Sequence, residues 1–164
     1  MAVAGKDFSK YAAWLKKNKI DLSGVKIVKD ELTASAYIMT DRADNQITAF
    51  YPGSKMQTSP YPLLSKERVK CTLAIISPDA VARMGEYAKI FRQFKIPYIF
   101  DPGQQIISFN AKELKYAVTG AQALIGNDYE IELILSKLKI KLSALEKLVE
   151  ILIITKGGKG SEIY

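Results

Sequence analysis

Short apolar runs separated by helical segments are the feature that most constrains the fold of this chain. Four such runs occur in its second half, at residues 73–76, 97–100, 123–125 and 151–154. Each is too short for a helix and ends in turn residues, and a helical stretch follows each of the first three. Continuously apolar strands are typical of parallel sheets that are covered on both faces. The sequence therefore predicts an α/β fold of three layers, a mostly parallel sheet flanked by helices.

The helices between these strands are predicted from their capping residues. The first is expected to start with Ser77 as cap and Pro78 at the first helical position, and to run to about Phe94. The second has Asn110 as its cap and Gly120 as its stop. Further helical stretches are predicted over residues 128–138 and 143–149, and a returning strand over 161–164.

The first 62 residues predict a separate arrangement. Asp7 is expected to cap a helix. Residues 33–41 and 46–51 are rich in β-branched and aromatic side chains and flank a polar link, which predicts a β-hairpin. Three prolines make residues 52–62 a loop. We therefore expect two domains, an N-terminal helix with a β-lid over residues 1–62 and an α/β core over 63–164.

The carboxyl ends of the predicted parallel strands should meet at one edge of the sheet. In open α/β sheets the ligand crevice lies at that edge. Polar and glycine-rich segments follow all four strands, although they are far apart in sequence. These segments are residues 77–79, 101–103, 127–130 and 155–160. This edge is the surface on which we expect function.

Missing residue types exclude several kinds of chemistry. The chain has no histidine, so a Ser-His-Asp triad or a His-ligated zinc site is excluded. Cys71 is the only cysteine; it precedes an apolar run and is expected to be a buried thiol, which fits a reducing compartment. No apolar run approaches the ~20 residues that span a bilayer. We therefore expect a cytoplasmic protein with no membrane partner.

A net charge of +7 raises nucleic-acid binding as a different class of function. The basic residues are spread evenly along the chain. Neither a basic stripe nor an RNP-like or helix-turn-helix pattern accompanies them. A modest positive charge also suits anionic nucleotides. Nucleic-acid binding is therefore kept only as a third hypothesis.

Short motifs follow one another in a fixed order along the chain. They are Gly5 with Asp7 (G-x-D), the run 44–53, Asn127 with Glu130 (N-x-x-E), and Thr155 with Gly157 and Gly160 (T-x-G-x-x-G). In this order they resemble the ribokinase or PfkB family of carbohydrate and nucleoside kinases, and the run 44–53 resembles the adenosine-kinase-like branch. The chain departs from the family at Lys10, where a glycine is common. The resemblance covers essentially all 164 residues and implies a ribokinase-like fold with a small β-hairpin lid.

The resemblance also implies an activity and a set of site residues. The family transfers a phosphoryl group from ATP, with Mg²⁺, to a hydroxyl of a nucleoside or sugar. By resemblance, Glu130 would help to organise Mg²⁺, commonly through water, and Asn127 would orient the backbone beside it. The implied nucleotide-binding residues are Thr155, Gly157 and Gly160, and the implied substrate-facing lid residues are Phe50 and Gly53.

Each of these residues also has a purely structural interpretation. Asn127 and Glu130 have the spacing of a helix cap and its partner in a capping box. Residues 155–160 fit a glycine-containing turn. Phe50 could pack the hairpin and Gly53 could complete a Pro-Gly turn. Asp101, which precedes Pro-Gly, is interpreted as a turn residue.

Two diagnostic parts of the family are not found in this sequence. One is the first strand, with its substrate-binding Asp and following Gly-Gly; the other is D-T-x-G-A-G-D, whose last Asp is the family's catalytic base. That base would lie beyond Tyr164. We therefore expect an internal fragment, truncated at both ends and inactive alone. The alternative is a non-enzymatic module that self-associates through its lid or its exposed sheet edges; the choice between adenosine and a sugar stays open.

Overall fold

The fold was obtained as a computed structural model, which describes residues 2–43, 46–56 and 72–164. The chain divides into two compact units, Met1–Tyr61 and Pro62–Tyr164. The expected loop beyond residue 56 and the expected buried thiol of Cys71 lie outside the described residues. No helix in the described ranges is both long and apolar enough to cross a membrane.

The first unit contains a small parallel sheet, a helix and a hairpin. Its elements are β1 (Ala2–Gly5), α1 (Ser9–Lys17), β2 (Val25–Val28), β3 (Ser35–Thr40), β4 (Gln46–Tyr51) and a 3-10 turn (Gly53–Met56). β1 pairs with β2 in parallel. β3 and β4 pair antiparallel, with Ala36 opposite Phe50, so the predicted hairpin is confirmed.

Asp7 does not cap α1. The residue at the N-cap is Phe8, and no side chain caps the helix. The Asp7 carboxylate instead accepts hydrogen bonds from the backbone N–H and the hydroxyl of Thr33, at 2.8 and 2.7 Å. Those two bonds hold the pKa of Asp7 below its ordinary value. The cap prediction was wrong because a distant hydroxyl competes for this carboxylate.

The second unit is an α/β sheet. Its elements are β5 (Ala74–Ile76), α2 (Val81–Gln93), β6 (Tyr98–Phe100), a 3-10 segment (Gly103–Ile107), α3 (Ala111–Val118), β7 (Ala123–Asn127), α4 (Asp128–Leu138), α5 (Leu142–Leu145), a 3-10 turn (Glu146–Leu148), β8 (Ile151–Thr155), a 3-10 turn (Gly157–Lys159) and β9 (Ser161–Ile163). The strand order is β5-β6-β7-β8-β9. β5 to β8 are parallel, and β9 returns antiparallel to β8, as the sequence predicts.

Helices α2, α3 and α4 pack against one face of this sheet. Each parallel strand lies beside the previous one, and right-handed crossovers in a constant direction place all their helices on the same side. That side forms the core, in which Ile76, Phe100, Leu124 and Leu152 align across the strands and are at most 2% exposed. Burial of these side chains against the helices stabilises the unit by the hydrophobic effect.

The opposite face of the sheet is aliphatic and less covered. We call it the open face; it consists of Ile75, Ile99, Ala123, Ile125, Ile151, Ile153 and Ile163, which align by strand register. Ile75 is 64% exposed and Ile163 is 69% exposed, at the two margins of the sheet. Ile99, Ile125 and Ile153 are half-buried. The continuous apolar strands predicted from sequence thus carry isoleucine on the side away from the helices.

The start of α2 differs from the prediction. The helix begins at Val81 with Ala80 at the N-cap, so Ser77 is not the cap and Pro78 is not the first helical residue. The Asp79 carboxylate accepts a hydrogen bond from the Ala80 N–H at 2.8 Å and pairs with buried Arg83 at 3.1 Å. Residues 77–80 therefore form a loop at the end of β5, and the helix starts once that loop has turned.

Candidate functional site

The carboxyl ends of β5 to β8 lie at one edge of the sheet, as predicted. Ile76 is in register with Phe100, and Asn127 is in register with Thr155 on the next strand. The backbone N–H of Asp101 donates to the carbonyl of Ile76 at 2.9 Å, which joins the first two strand ends. We call this edge, formed by residues 77–79, 101–103, 127–130 and 155–160, the carboxyl edge.

Asn127 and Glu130 form a complete capping box at the start of α4. The Asn127 side-chain oxygen accepts from the Glu130 N–H at 2.8 Å, and the Glu130 carboxylate accepts from the Asn127 N–H at 2.9 Å. The structural interpretation of this motif is therefore confirmed. Because only one Glu130 oxygen makes this bond, the carboxylate retains capacity to accept elsewhere. The capping box fixes the Glu130 side chain beside the end of β7.

Asp101 follows β6 at the carboxyl edge, and Glu130 lies in the first turn after the neighbouring strand β7. Burial raises the pKa of Asp101 above its ordinary value, and the negative charge of Glu130 raises it further, while a hydrogen bond from the Gly103 backbone opposes the rise. A negative charge that disfavours ionisation of a neighbouring carboxyl group is an arrangement that a bound cation relieves. The sequence interpretation of Asp101 as a turn residue did not reveal this pairing, because the partner lies on another strand end.

The loop after β6 is held tightly against the loop after β5. Gly103 has a φ of +47°, and a Cβ at this position would lie 2.6 Å from Cγ of Pro78. A side chain cannot be accommodated there without displacement of the proline ring. Glycine at this position thus allows the close approach that places Asp101 at the carboxyl edge.

Residues 155–160 form a tight turn between β8 and β9. The Lys156 N–H donates to the Gly160 carbonyl at 2.8 Å, and Gly157 and Gly160 have positive φ angles of 57° and 86°. The turn interpretation is therefore confirmed for this segment. The Lys156 ammonium pairs with the Glu162 carboxylate, which raises the pKa of Lys156 and lowers that of Glu162. The negative charge of Asp128 raises the Lys156 pKa as well. Thr155, where the turn begins, is in register with Asn127, the N-cap of α4.

Phe50 and Gly53, the expected lid residues, belong to the first unit. Phe50 is 55% exposed on β4. Gly53 is buried, and a Cβ there would lie 2.3 Å from the carbonyl oxygen of Leu32, so this glycine has a structural reason to be present. The five other predicted site residues, Asn127, Glu130, Thr155, Gly157 and Gly160, are brought together at the carboxyl edge of the second unit.

Comparison with known proteins places this geometry in a family. The profile of the pfkB family carbohydrate kinase matches residues 1–164. The chain belongs to the pfkB family. Membership in the family agrees with the resemblance that was based on the sequence motifs. The α/β fold with its parallel strands is therefore a ribokinase-like fold, as expected.

Several relatives of this pfkB chain are nucleoside kinases. The nucleoside kinase of Methanothermobacter thermautotrophicus is 33% identical over 171 residues, which cover 100% of this chain and 54% of that protein. The Burkholderia thailandensis nucleoside kinase in complex with inosine has a TM-score of 0.90 at 31% identity, and the alignment covers 100% of this chain and 55% of that chain. The same protein in complex with ADP-inosine gives a TM-score of 0.89 at 32% identity, with 100% and 51% covered. The pfkB chain thus spans about half the length of these relatives.

Proposed function

We propose that this chain supplies the nucleotide and metal site of an ATP-dependent nucleoside kinase. The observation that carries the proposal is that Asp101, the capping box of Asn127 with Glu130, and the turn at residues 155–160 follow neighbouring parallel strands at one edge of the sheet. Phosphoryl transfer depends on positioning and on neutralisation of phosphate charge, and a metal between two carboxylates and the phosphates supplies both.

The residues at this site fit Mg²⁺. Magnesium takes oxygen ligands, usually one or two carboxylates together with substrate phosphates and water. No group of three His, Cys, Asp or Glu side chains is poised to bind metal in the described part of the chain. Asp101 and Glu130 would therefore hold the ion together with water and phosphate. When bound, Mg²⁺ neutralises phosphate charge and raises the electrophilicity of the transferred phosphorus.

The turn at residues 155–160 is the proposed nucleotide contact. A Cβ at Gly157 or Gly160 would meet no atom within 4 Å, so packing leaves room above this backbone. Backbone N–H groups in such glycine turns can approach phosphate closely. Thr155, half-buried and opposite Asn127 in the adjacent strand, would contribute its hydroxyl.

A nucleoside is the proposed phosphoryl acceptor. The support is that two matching structures at 31% and 32% identity contain inosine and ADP-inosine, bound to the Burkholderia protein. Phe50 on the exposed hairpin offers an aromatic surface on which a base could stack. We assign no catalytic base to this chain, because it has neither histidine nor the family's D-T-x-G-A-G-D motif. The chain is expected to bind nucleotide.

A second capping box in the same unit provides a matched control for the test. Asn110 and Glu113 cap α3 with bonds of 2.9 and 3.1 Å, the same arrangement that Asn127 and Glu130 make on α4. Both glutamates end a first helical turn, but only Glu130 faces Asp101. The two boxes thus share their contribution to stability and differ in their place at the proposed metal site.

The test measures binding of ADP by isothermal titration calorimetry, with and without Mg²⁺, in three proteins: the unmodified chain, Glu130→Gln and Glu113→Gln. We expect Mg²⁺ to strengthen ADP binding to the unmodified chain and to Glu113→Gln at least about tenfold, and to have little effect in Glu130→Gln. Equal magnesium dependence in all three proteins would overturn the assignment of Glu130. Absence of ADP binding to the unmodified chain would overturn the proposed function.

The exposed hairpin favours a second candidate function, self-association. Its strands carry large exposed apolar side chains, Tyr37, Ile38, Met39, Ile47 and Phe50, each between 55% and 71% exposed. By strand register Tyr37, Met39 and Ile47 lie on one face of the hairpin and Ile38 and Phe50 on the other. Exposed apolar side chains of this kind commonly mark an interface. Light scattering after size exclusion should then show a dimer that Ile38→Lys with Ile47→Lys dissociates. A monomer at all concentrations would remove this candidate.

A further inference from the structure

An open cavity of about 300 Å³ lies at the edge of the second unit where the parallel strands begin, opposite the carboxyl edge. We call this edge the amino edge. Residues from the segment 91–98, which joins the end of α2 to the start of β6, line the cavity together with Gly120, Gln122 and Glu150, which precede β7 and β8. Small-molecule pockets begin at about this volume, so the cavity suits a compact ligand.

Arg92 has a buried hydrogen-bond donor at this cavity that the described part of the chain leaves unpaired. Its guanidinium lies over the Tyr116 ring, with Cζ 4.1 Å from the ring centroid, and its Nη2 donates to the Tyr116 carbonyl. Its Nε is buried and has no partner among the described residues. Buried donors are almost always satisfied by protein, water or an ion, so an unpaired one at a cavity indicates a bound group. The planar fork of the guanidinium matches a carboxylate or a phosphate group.

Lys95 adds a second positive charge to the cavity. It is exposed and follows the cap of α2, and neither its ammonium nor the Arg92 guanidinium takes part in an ion pair within the described ranges. Glu150, also exposed, contributes a carboxylate to the described lining. The cavity is thus lined by two cationic side chains and one anionic side chain, and its net charge favours an anion.

The end of α2 does not by itself explain these basic residues. Basic side chains near the end of a helix complement the helix dipole. Lys139 has that position at the end of α4, in the same left-handed conformation as Lys95, with φ +55° against +54°, and it is not among the residues that line the cavity. Complementation of the dipole accounts for a charge at Lys95 but leaves the buried Nε of Arg92 unexplained. Lys139 is therefore a matched control for Lys95.

The wall beside these charges is aromatic. Phe91 and Tyr98 line the cavity, and their ring centroids are 6.1 Å apart. The Tyr98 hydroxyl already donates to the Ala117 carbonyl at 2.9 Å, so the two rings offer apolar contact. A ligand of this cavity is expected to carry an apolar body next to its anionic group.

We propose that the amino edge binds a small organic oxyanion, a carboxylate or a phosphate ester, through Arg92 and Lys95, with its apolar body against Phe91 and Tyr98. The site lies at the opposite ends of the strands from the turn at residues 155–160. The inference does not depend on the proposed kinase function, and each can fail without the other.

The experiment follows the amide resonances of the 164-residue chain by NMR during titration with phenyl phosphate, benzoate and benzamide, which share an aromatic ring and differ in charge. We expect both anions to shift the amides of Gly120 and Gln122 in a saturable way, and neutral benzamide to bind at least about tenfold more weakly. Tighter binding of phenyl phosphate assigns the site to phosphate esters, and tighter binding of benzoate assigns it to carboxylates.

Substitutions of the charged side chains test their roles. Lys95→Met should weaken binding of both anions at least about fivefold, whereas Lys139→Met should leave it unchanged. Glu150→Gln should strengthen binding about threefold, because it removes a negative charge from the cavity. Arg92→Gln should abolish binding, but Arg92 also bonds to α3, so the exposed Lys95 and Glu150 keep the test independent of folding.

Four results overturn the proposal. They are the absence of a saturable shift with either anion, equal binding of benzamide, equal weakening by Lys95→Met and Lys139→Met, and shifts confined to Asn127 and Thr155 at the carboxyl edge.

Discussion

The ionised carboxylate of Asp101 lowers the stability of the fold that holds it. Its carboxyl is partly removed from water and faces the negative charge of Glu130, and both effects favour the protonated form. The folded-state pKa is therefore above the unfolded value. The stability that protonated Asp101 contributes is fully present below the ordinary pKa of an aspartate and is lost as the pH rises through the raised value.

Asp101→Asn should therefore stabilise the chain at pH 7. Asparagine keeps an oxygen for the hydrogen bond from Gly103 and carries no charge to repel Glu130. Urea unfolding at pH 3 and pH 7 is expected to show a larger gain at pH 7 than at pH 3. A loss of stability at pH 7 would contradict the opposition between the two carboxylates.

Glu130→Gln should lower the pKa of Asp101 without returning it fully to the ordinary value. Burial, the larger of the two causes, remains after the charge of Glu130 has been removed. The measurement is a carboxyl-detected NMR titration of Asp101. Glu132→Gln, an exposed glutamate on the same helix, is the control and should leave the Asp101 titration unchanged.

Gly103→Ala should destabilise the second unit by about 2 kcal/mol or more. A Cβ there collides with Pro78 and the residue has a positive φ, so strain and overpacking add. Gly158→Ala is the matched control, since a Cβ at Gly158 would meet nothing within 4 Å and its φ is ordinary. The measurement is the denaturant midpoint of each variant. Equal midpoints for Gly103→Ala and Gly158→Ala would refute the close approach of the two loops.

Both ends of helix α4 hold residues that belong to the carboxyl edge or to the loop leading from it. Its first turn carries the capping box with Glu130. In its last turn, the Lys137 ammonium donates to the carbonyls of Ile106, Ile107 and Phe109 at 2.6, 2.8 and 2.6 Å. Those carbonyls belong to the segment that continues the Asp101 loop. One helix thus fixes the Glu130 side chain and the loop that carries its partner.

Lys137→Met should destabilise the second unit by about 2–3 kcal/mol, because three carbonyls lose a charged donor while the aliphatic stem is retained. It should also bring the Asp101 pKa closer to its ordinary value, since the loop is no longer tied to α4. Lys141→Met, an exposed lysine without a capping bond, is the control for both the denaturation curve and the titration. An unchanged midpoint would show that the three bonds contribute nothing.

The sequence could predict the helix starts whose capping partners lie only a few residues away. Asn110 and Asn127 are caps whose partners lie three residues away, so both helix starts were predictable and are confirmed. Asp7 and Ser77 were mispredicted because their surroundings are set by distant residues, Thr33 in one case and the loop after β6 in the other. The pairing of Asp101 with Glu130 was not predictable, since it exists only once β6 and β7 are neighbours.

The second unit buries many more apolar side chains than the described part of the first unit does. In the second unit a connected core joins the sheet to all three crossover helices. Among the described residues of the first unit, Ala4 is the one buried hydrophobic residue, and no residue of α1 is buried. A two-stranded sheet and a hairpin with so little buried area are marginal by themselves.

Hydrogen exchange should therefore divide the chain into two classes. Amides of β6, β7 and β8 are expected to exchange at least about two orders of magnitude more slowly than those of β1 to β4, because the first unit opens without global unfolding. Mass spectrometry of peptic fragments measures both classes in one experiment. Equal protection in the two units would show that they unfold as a single cooperative body.

The isoleucine-rich face of the sheet also bears on the fate of the chain in a cell. Chaperones and proteases act on polypeptides with accessible apolar surface, and their action determines the steady-state abundance of a marginal protein. A chain whose isoleucine-rich face is accessible would be retained by chaperones and degraded quickly. The lifetime of this protein in a cell would then depend on how much of that face is accessible.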